Sequence, residues 1–203
     1  MTNINACLLA ITLLIGASAQ SWADVASIAE DCNGCHGTDG VSEWADMPTI
    51  AGVSDFVLSD AMFFYRDGER PCAESDYRQG DTSRPATDMC AVAENMSDAD
   101  IEEISAHYAE LAFKAASQEF DAALAAQGKE IHDNSCEGCH PDGGSDPGAD
   151  ASILAGQWMG YIRTQIADYA AGERAQPAKM EARISGLSAE DVEALLNYYA
   201  SLR

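Results

Sequence analysis

The stretch Cys32-Asn33-Gly34-Cys35-His36 decides how this chain is interpreted, and it occurs again as Cys136-Glu137-Gly138-Cys139-His140. Cys-x-x-Cys-His is the attachment motif of c-type haem, because two thiols at this spacing reach the two vinyl groups of one porphyrin. The motifs therefore predict two covalently bound haem c groups, one on Cys32 and Cys35 and one on Cys136 and Cys139. The histidine that follows each pair, His36 or His140, is predicted to be the proximal ligand of the iron.

Two other kinds of site also use Cys-x-x-Cys pairs. A zinc site needs both pairs to converge on one ion, and a thioredoxin-like redox site lies in a βαβ unit. Here each pair has its own histidine and its own copy of a repeat. No stretch alternates with a two-residue period for long enough to predict a strand. The pattern favours haem over both alternatives.

An internal repeat extends well beyond the two motifs. At an offset of 104 residues, the block from Cys32 to Arg70 aligns with the block from Cys136 to Arg174 without a gap. The offset then falls to 91, so the first copy contains 13 additional residues between Arg70 and about Met89. The chain is therefore predicted to be all-α, with one module at 24–114 and its copy at 115–203. The connection between them is short, which predicts that the modules pack together.

Each module is predicted to contain three helices. The first leads into the pentapeptide, at 25–35 and 122–139, and the second spans 55–67 and 158–171 before a glycine. The third begins at Ser97 or Ser188, each a serine cap followed by acidic residues. The apolar face of the third helix predicts each core. Its residues are Ile101, Ile104, Tyr108 and Leu111 in the first module and Val192, Leu195, Leu196 and Tyr199 in the second.

Methionine is the usual second axial ligand in electron-transfer cytochromes, and the chain has seven. The repeat selects Met89 and Met180, because they lie at the same distance before the serine caps of the third helices. Met96 takes the position of Leu187 and is expected in the core, whereas Met47 is a weaker alternative ligand. Two histidines outside the motifs, His107 and His132, have no histidine counterpart and are expected to be surface or hydrogen-bonded residues.

Cys72 and Cys90 bracket the insertion and have no counterparts in the second module. The even number of cysteines after the leader, together with export, favours a disulfide between them. Such a bond would stabilise the fold by roughly 3 kcal/mol and would brace the segment that carries Met89. The alternative is that Cys90 itself ligates the iron.

Three further residues are candidates for secondary roles around the haems. A backbone carbonyl near Pro48 is expected to accept the Nδ1–H of His36 and so to orient it, although the second module has Ser152 in place of that proline. Arg70 and Arg174 occupy matched positions. They are expected to pair either with haem propionates or with a neighbouring glutamate.

The leader and the charge bear on location and partners. Residues 1–23 are predicted to be a signal peptide, since the apolar run is short and Ala-x-Ala sequences place cleavage after Ala19 or Ala23; an uncleaved anchor is the alternative. The predicted location is the periplasm, without stable membrane insertion after cleavage. The formal net charge of -23 excludes nucleic acid and anionic membrane surfaces as partners. It favours a basic protein partner or a saline habitat.

Together these residues resemble the tandem dihaem class I cytochromes c, the cytochrome c-four-like family, in which each module places a late methionine on iron. Within that family the similarity is greatest to the haem subunit of flavocytochrome c sulfide dehydrogenase. It is carried by the sequence from Phe120 to Ala125, His132-Asp133, the second pentapeptide, the sequence from Asp142 to Gly144 and the sequence from Ile153 to Trp158. The resemblance implies an electron acceptor that is docked on an FAD-containing, sulfide-oxidising subunit.

The resemblance leaves open whether the chain is part of an enzyme. An iron with two protein ligands has no open position for a substrate, so the chain is expected to move electrons rather than to transform a substrate. The alternative to the sulfide dehydrogenase subunit is a free dihaem shuttle between a quinol-oxidising complex and a terminal oxidase. A catalytic cytochrome, such as a peroxidase or a thiosulfate-oxidising enzyme, would need an open or unusual axial site.

Overall fold

The computed structural model describes residues 22–202, with side chains from Val25 onward. The predicted signal peptide, 1–23, lies outside the described residues except for the first two residues of α1. The helices are α1 Trp22–His36, α2 Asp55–Arg66, α3 Met89–Glu94, α4 Asp98–Ala109, α5 Ala122–Ser135, α6 Pro141–Gly144, α7 Met159–Ala170, α8 Ala178–Ile184 and α9 Ala189–Ser201.

The predicted all-α class is confirmed. Within 22–202 the extended pairing is limited to one isolated antiparallel bridge between Ser75 and Thr87. Helices α1 to α4 form one module and α5 to α9 form its copy, so that α1 corresponds to α5, α2 to α7, α3 to α8 and α4 to α9. None of the helices in this part of the chain is long and apolar enough to span a bilayer.

The predicted helix ends follow the local sequence signals. Ser97 and Ser188 each form a capping box, in which the serine hydroxyl accepts the N–H of an aspartate, Asp100 or Asp191, while that carboxylate bonds back to the serine. The second helix of each module stops before a glycine in the left-handed region, with φ of 72° at Gly68 and 70° at Gly172. Other side chains would be strained there.

Two predictions about the helices are wrong. The first helix of the second module ends at Ser135 rather than at 139, because the Glu137 carboxylate accepts the N–H of Asp142 at 3.0 Å and contacts His132 at 2.8 Å. Those bonds draw the second pentapeptide into a turn, whereas the first pentapeptide completes α1. The short helices α3 and α8 were not predicted at all, and they carry Met89 and Met180.

The third helix of each module supplies the core, as its pattern predicted. Ile104 and Tyr108 pack with Ala29 of α1 in the first module. Leu195, Leu196 and Tyr199 pack with Ile162 of α7 in the second. These clusters are small for modules of this size, because few residues of α2 and α7 are fully buried.

The two modules pack directly against each other, also as predicted. The side chain of Gln157 accepts the N–H of Thr49 at 3.0 Å and donates to its carbonyl at 2.8 Å, and both residues are buried. The indole N–H of Trp158 donates to the carbonyl of Ser42 at 3.0 Å. The loop that follows the first pentapeptide therefore meets the start of α7.

Candidate haem sites

The first pentapeptide lies at the end of α1, with its two thiols half-buried and its histidine buried. The Nδ1 of His36 is 3.1 Å from the carbonyl oxygen of Pro48, as predicted. With the proton on Nδ1, the Nε2 lone pair is free to bind a metal. Burial lowers the pKa of His36, and the Pro48 carbonyl opposes that shift. The ring is therefore oriented, and favoured in its neutral form, as a metal ligand requires.

The second pentapeptide places its histidine in a similar but more open setting. His140 is half-buried, and its Nδ1 makes no hydrogen bond of regular geometry to any described residue. Burial lowers the pKa of His140, while the backbone of Ser152, the counterpart of Pro48, raises it. In both modules the histidine therefore faces the backbone of the same repeat position, Pro48 or Ser152. Only in the first module does that contact have regular hydrogen-bond geometry.

A tyrosine stands beside the first thiol of each motif, and the sequence analysis identified it only as core. The Tyr108 hydroxyl donates to the Asn33 side chain at 2.9 Å. Burial raises the pKa of Cys32 to about 11, while its hydrogen bond with Tyr108 opposes the increase. Tyr199 has the same relation to Cys136. The two tyrosines lie at the same distance after their capping serines, and this shared spacing is the sequence signal that could have identified their role.

The two additional histidines are not brought to the motifs as ligands. His132 is fully buried, with Nδ1 at 3.0 Å from the Tyr199 hydroxyl and Nε2 at 2.8 Å from a carboxylate oxygen of Glu137. Both ring nitrogens are therefore hydrogen-bonded. Of the two expectations for this residue, His132 fits the hydrogen-bonded one and not the surface one. His107 is half-exposed and packs edge-on against Tyr108.

The methionines selected by the repeat lie on equivalent elements. Met89 is the first residue of α3 and Met180 lies in α8, and both are half-buried. Met96 packs against the first core, as expected. Met47 lies half-buried on the loop after the first pentapeptide. Iron ligation by Met89 and Met180 stays a prediction.

Cys72 and Cys90 are joined by a disulfide, with their Cα atoms 5.8 Å apart. The alternative role of Cys90 as an iron ligand does not fit, because its sulfur is already bonded. Among residues 22–202, the cysteines with free thiols are the four of the two pentapeptides. They are the sulfurs that thioether formation needs.

The matched arginines meet at the contact between the modules. Arg70 is buried and donates to the Tyr161 hydroxyl at 2.9 Å and to the Gln165 side chain at 2.6 Å, both on α7. Arg174 also donates to Gln165. Neither makes an ion pair with a carboxylate of the described chain, and the Nε of each is buried without a partner. Pairing with a neighbouring glutamate, one of the two expectations, is therefore wrong.

The residues around each motif suit a haem. Free thiols, an oriented histidine and a half-buried methionine are present in both modules. Helix α2 is rich in apolar side chains and has four aromatic ones, yet none of its residues is fully buried. A half-buried apolar helix offers the kind of wall that a large apolar cofactor covers.

Comparison with known proteins agrees with this chemistry. A family model described as cytochrome C oxidase, cbb3-type, subunit III matches residues 123–198. The chain is 35% identical over 77 residues to cytochrome c-554(548) of Halomonas halodenitrificans, covering 38% of this chain and 80% of that protein. It is 29% identical to cytochrome c4 of Stutzerimonas stutzeri over 96% of this chain and 94% of that protein. The chain belongs to the cytochrome c4-like family of dihaem class I cytochromes c.

Solved structures and other relatives extend the comparison. The crystal structure of reduced cytochrome c4 from Pseudomonas stutzeri matches this cytochrome c4-like fold with a TM-score of 0.71 at 27% identity, covering 89% of this chain and 97% of that chain. Thiosulfate dehydrogenase (TsdBA) from Marichromatium purpuratum matches with a TM-score of 0.70 at 26% identity, over 89% of this chain and 40% of that one. A thiosulfate dehydrogenase electron acceptor from Thiomonas intermedia is 28% identical, over 79% of this chain and 72% of its own length.

Family and fold together establish the cofactor and the general activity. The chain is a cytochrome c4-like protein with two covalently bound haem c groups, and it transfers electrons. The comparisons with cytochrome c4 favour a dihaem electron shuttle over the predicted subunit of a sulfide dehydrogenase.

Proposed function

We propose that this cytochrome c4-like protein is a periplasmic dihaem electron shuttle that carries electrons from a quinol-oxidising complex to a terminal oxidase. The observation that carries the proposal is that two modules in direct contact each contain a motif with two free thiols and a histidine. Similarity to cytochrome c4 over nearly the full length of both proteins supports it. The high negative charge suits a protein that meets basic partners transiently.

We assign the haem-binding residues as the repeat predicts them. Cys32 and Cys35 hold one haem through thioether bonds, with His36 and Met89 as axial ligands. Cys136 and Cys139 hold the other, with His140 and Met180. The haem supplies a one-electron iron couple. The Pro48 carbonyl would orient His36, a histidine and a methionine would ligate each iron, and apolar helices would pack around each centre.

The buried Arg70 and the half-buried Arg174 have a part in this assignment. A guanidinium group removed from water without an anionic partner is strongly unfavourable. Although burial raises the pKa of Tyr161, the charges of Arg70 and Arg174 hold it below its usual range, which marks a strongly positive environment. We assign haem propionates as the anions that Arg70 and Arg174 bind, since propionates are the carboxylates that the cofactor brings.

A second candidate function has its own support. Two relatives are named thiosulfate dehydrogenase electron acceptors, and the matching TsdBA structure is a thiosulfate dehydrogenase. The shuttle would then receive electrons from a thiosulfate-oxidising enzyme. The FAD-containing sulfide dehydrogenase partner stays a prediction without support from these relatives.

The experiment begins with the holoprotein purified from periplasm at low salt. Two c-type haems per chain, no flavin and the mass of a monomer or homodimer are expected for a free shuttle. Its reduction is then measured with a quinol-oxidising complex and with a thiosulfate dehydrogenase plus thiosulfate. Flavin absorbance and a larger assembly that is reduced by sulfide would instead support the sulfide dehydrogenase subunit. Protein without covalent haem would overturn the proposal.

A further inference from the structure

The two pentapeptides differ in how far their second cysteine is covered. Gly34 is buried and Gly138 is exposed, and Cys35 is half-buried whereas Cys139 is exposed. A Cβ atom built on Gly34 would lie 2.7 Å from the ring of Tyr77, but one built on Gly138 would meet nothing within 4 Å. The same motif therefore lies under other residues in the first module and at an open surface in the second.

The cover over the first motif is the segment 71–88, which includes the 13 additional residues of the first copy. The backbone N–H groups of Arg78 and Gln79 both donate to the carbonyl of Gly34, at 2.8 and 3.1 Å. The carbonyl oxygen of Asp76 is 3.8 Å from the sulfur of Cys35. The second module has only residues 175–179 in the place of this segment, and nothing lies within 4 Å of a Cβ built on Gly138.

Several independent attachments hold the segment in place. The disulfide Cys72–Cys90 closes it, and Ser75 and Thr87 pair across it at 2.8 and 3.0 Å. Two of its arginines reach back to the module. Arg78 makes a bidentate ion pair with Asp46, at 2.6 and 2.7 Å, and Arg84 pairs with Asp31 of α1 at 2.7 Å. Such a closed and anchored segment is a fixed cover rather than a loose loop.

The open face of the second module carries two carboxylates, with the exposed Arg183 as a cation near Cys136. Glu137 precedes Gly138 directly, and Asp142 follows in the exposed turn that the Glu137 carboxylate holds. On the covered side, Arg78 pairs with Asp46 and Arg84 pairs with Asp31. Charge complementarity therefore fits a partner whose docking face carries lysines or arginines.

We infer that partner proteins exchange electrons with this cytochrome at the open face of the second module, Glu137 to Asp142, and that the docking face of the partner is basic. The inference rests on the proposed haem attachment. Because the porphyrin is bonded to Cys139, a partner at this face approaches the ring through few protein atoms, and tunnelling rates fall steeply with distance. The haem that Cys139 would hold supplies the one-electron couple that such a partner would reduce or oxidise.

The test measures reduction of the holoprotein by hexaammineruthenium(II), a small cationic reductant, in a stopped-flow instrument at low salt. The variant Gly138→Trp covers the open face, and we expect its second-order rate constant to fall about tenfold. Ala126→Trp, on the exposed side of α5, is the control and should stay within about twofold of the parent. Equal rates for the two variants would overturn the inference.

A pair of aspartates tests the charge of the face. Asp142 and Asp39 are both exposed, follow a pentapeptide and share a φ of 55°, a conformation that asparagine also accepts. Asp142→Asn should lower the rate constant and weaken its salt dependence, and Asp39→Asn should do neither. The reverse result would place electron entry at the first module. Two haems per chain, fully reduced by dithionite, are verified in every variant, so a failure of haem attachment is distinguished from a failure of this inference.

Discussion

His132 shows how one buried side chain links the second haem motif to the core behind it. Its ring is fully buried and bonds to Tyr199 of α9 on one side and to Glu137 of the pentapeptide on the other. Tyr199 in turn lies beside Cys136. A single imidazole therefore ties the C-terminal helix to the attachment turn. Its spacing from Cys136 was visible in the sequence, but its burial depends on α9, which is distant along the chain.

His132→Ala should destabilise the holoprotein by about 3 kcal/mol, because it removes the buried hydrogen bonds to the Tyr199 hydroxyl and the Glu137 carboxylate and opens a cavity. Chemical denaturation monitored by circular dichroism measures the loss. His107→Ala, at a half-exposed position, is the control and should change stability by less than about 0.5 kcal/mol. Equal effects of the two substitutions would contradict the role given to His132.

The positive charge of Arg70, at the contact between the modules, should raise the reduction potential of at least one haem. Arg70→Gln should lower at least one reduction potential by on the order of 40 mV, since loss of a positive charge near the iron favours the ferric state by about 1 kcal/mol. Spectroelectrochemical titration measures the shift. Arg66→Gln, which removes an exposed pair with Asp98, should leave both potentials unchanged. A similar shift in both variants would argue against specific binding of a propionate.

The crossing of α5 and α9 illustrates what one glycine allows between two helices. Gly128 is buried in the middle of α5, and a Cβ atom there would overlap the carbonyl oxygen of Ala194. Gly128→Ala should therefore cost about 3 kcal/mol of stability, even though alanine is the better helix former. Gly138→Ala has open space around it and should be neutral. Thermal unfolding of both variants, each with its haem content verified, tests the contrast.

The capping boxes make a specific contribution to acid stability. The backbone N–H and the hydroxyl of Ser188 hold the pKa of Asp191 below its usual range. Since the folded pKa is the lower one, this stability is present above the unfolded value of about 4 and is lost as the pH falls through the folded pKa. Asp191→Asn should therefore flatten the acid end of the stability curve. If the stability of Asp191→Asn falls with pH as steeply as that of the parent between about pH 5 and about pH 2, the assignment is wrong.

The elements also show which signals the sequence contains. The long helices were predictable because caps, glycine stops and apolar faces recur in both copies. Helices α3 and α8 were missed because six or seven residues are too few to display a period. The alignment of the repeat nevertheless placed Met89 and Met180 on equivalent elements. Where α5 ends was not predictable, since the Glu137 contacts that set it form only in the folded turn.

In the molecule as a whole, the modules are joined by buried polar contacts rather than by a flexible linker. Gln157 makes two bonds to the backbone of Thr49, and Trp158 makes one to Ser42. The short connection predicted that the modules touch, but the identity of these partners came only from the fold. Arg70 behaves likewise: its matched position was evident from the repeat, whereas its burial against α7 was not.

Gln157→Leu removes the acceptor of the Thr49 N–H, and we expect the potential of the first haem to rise by on the order of tens of millivolts while the second haem changes less. Trp158→Phe is the control, because it breaks another bond between the modules, to Ser42, without touching Thr49. Redox titration of both variants distinguishes a specific effect from general loosening. Equal changes in both would show that only packing matters.

The first haem should respond more than the second because the Thr49 N–H and the Pro48 carbonyl belong to one peptide unit. The N–H donates to Gln157 in the second module, and the carbonyl oxygen accepts from His36 in the first. Hydrogen bonds in such a chain polarise one another, so Gln157 makes the carbonyl a stronger acceptor and the imidazole a more electron-rich donor to iron. With His36 as the proposed ligand, the second module would thereby influence the first iron through Gln157. A first module expressed alone would keep its own ligands and still be a different redox centre.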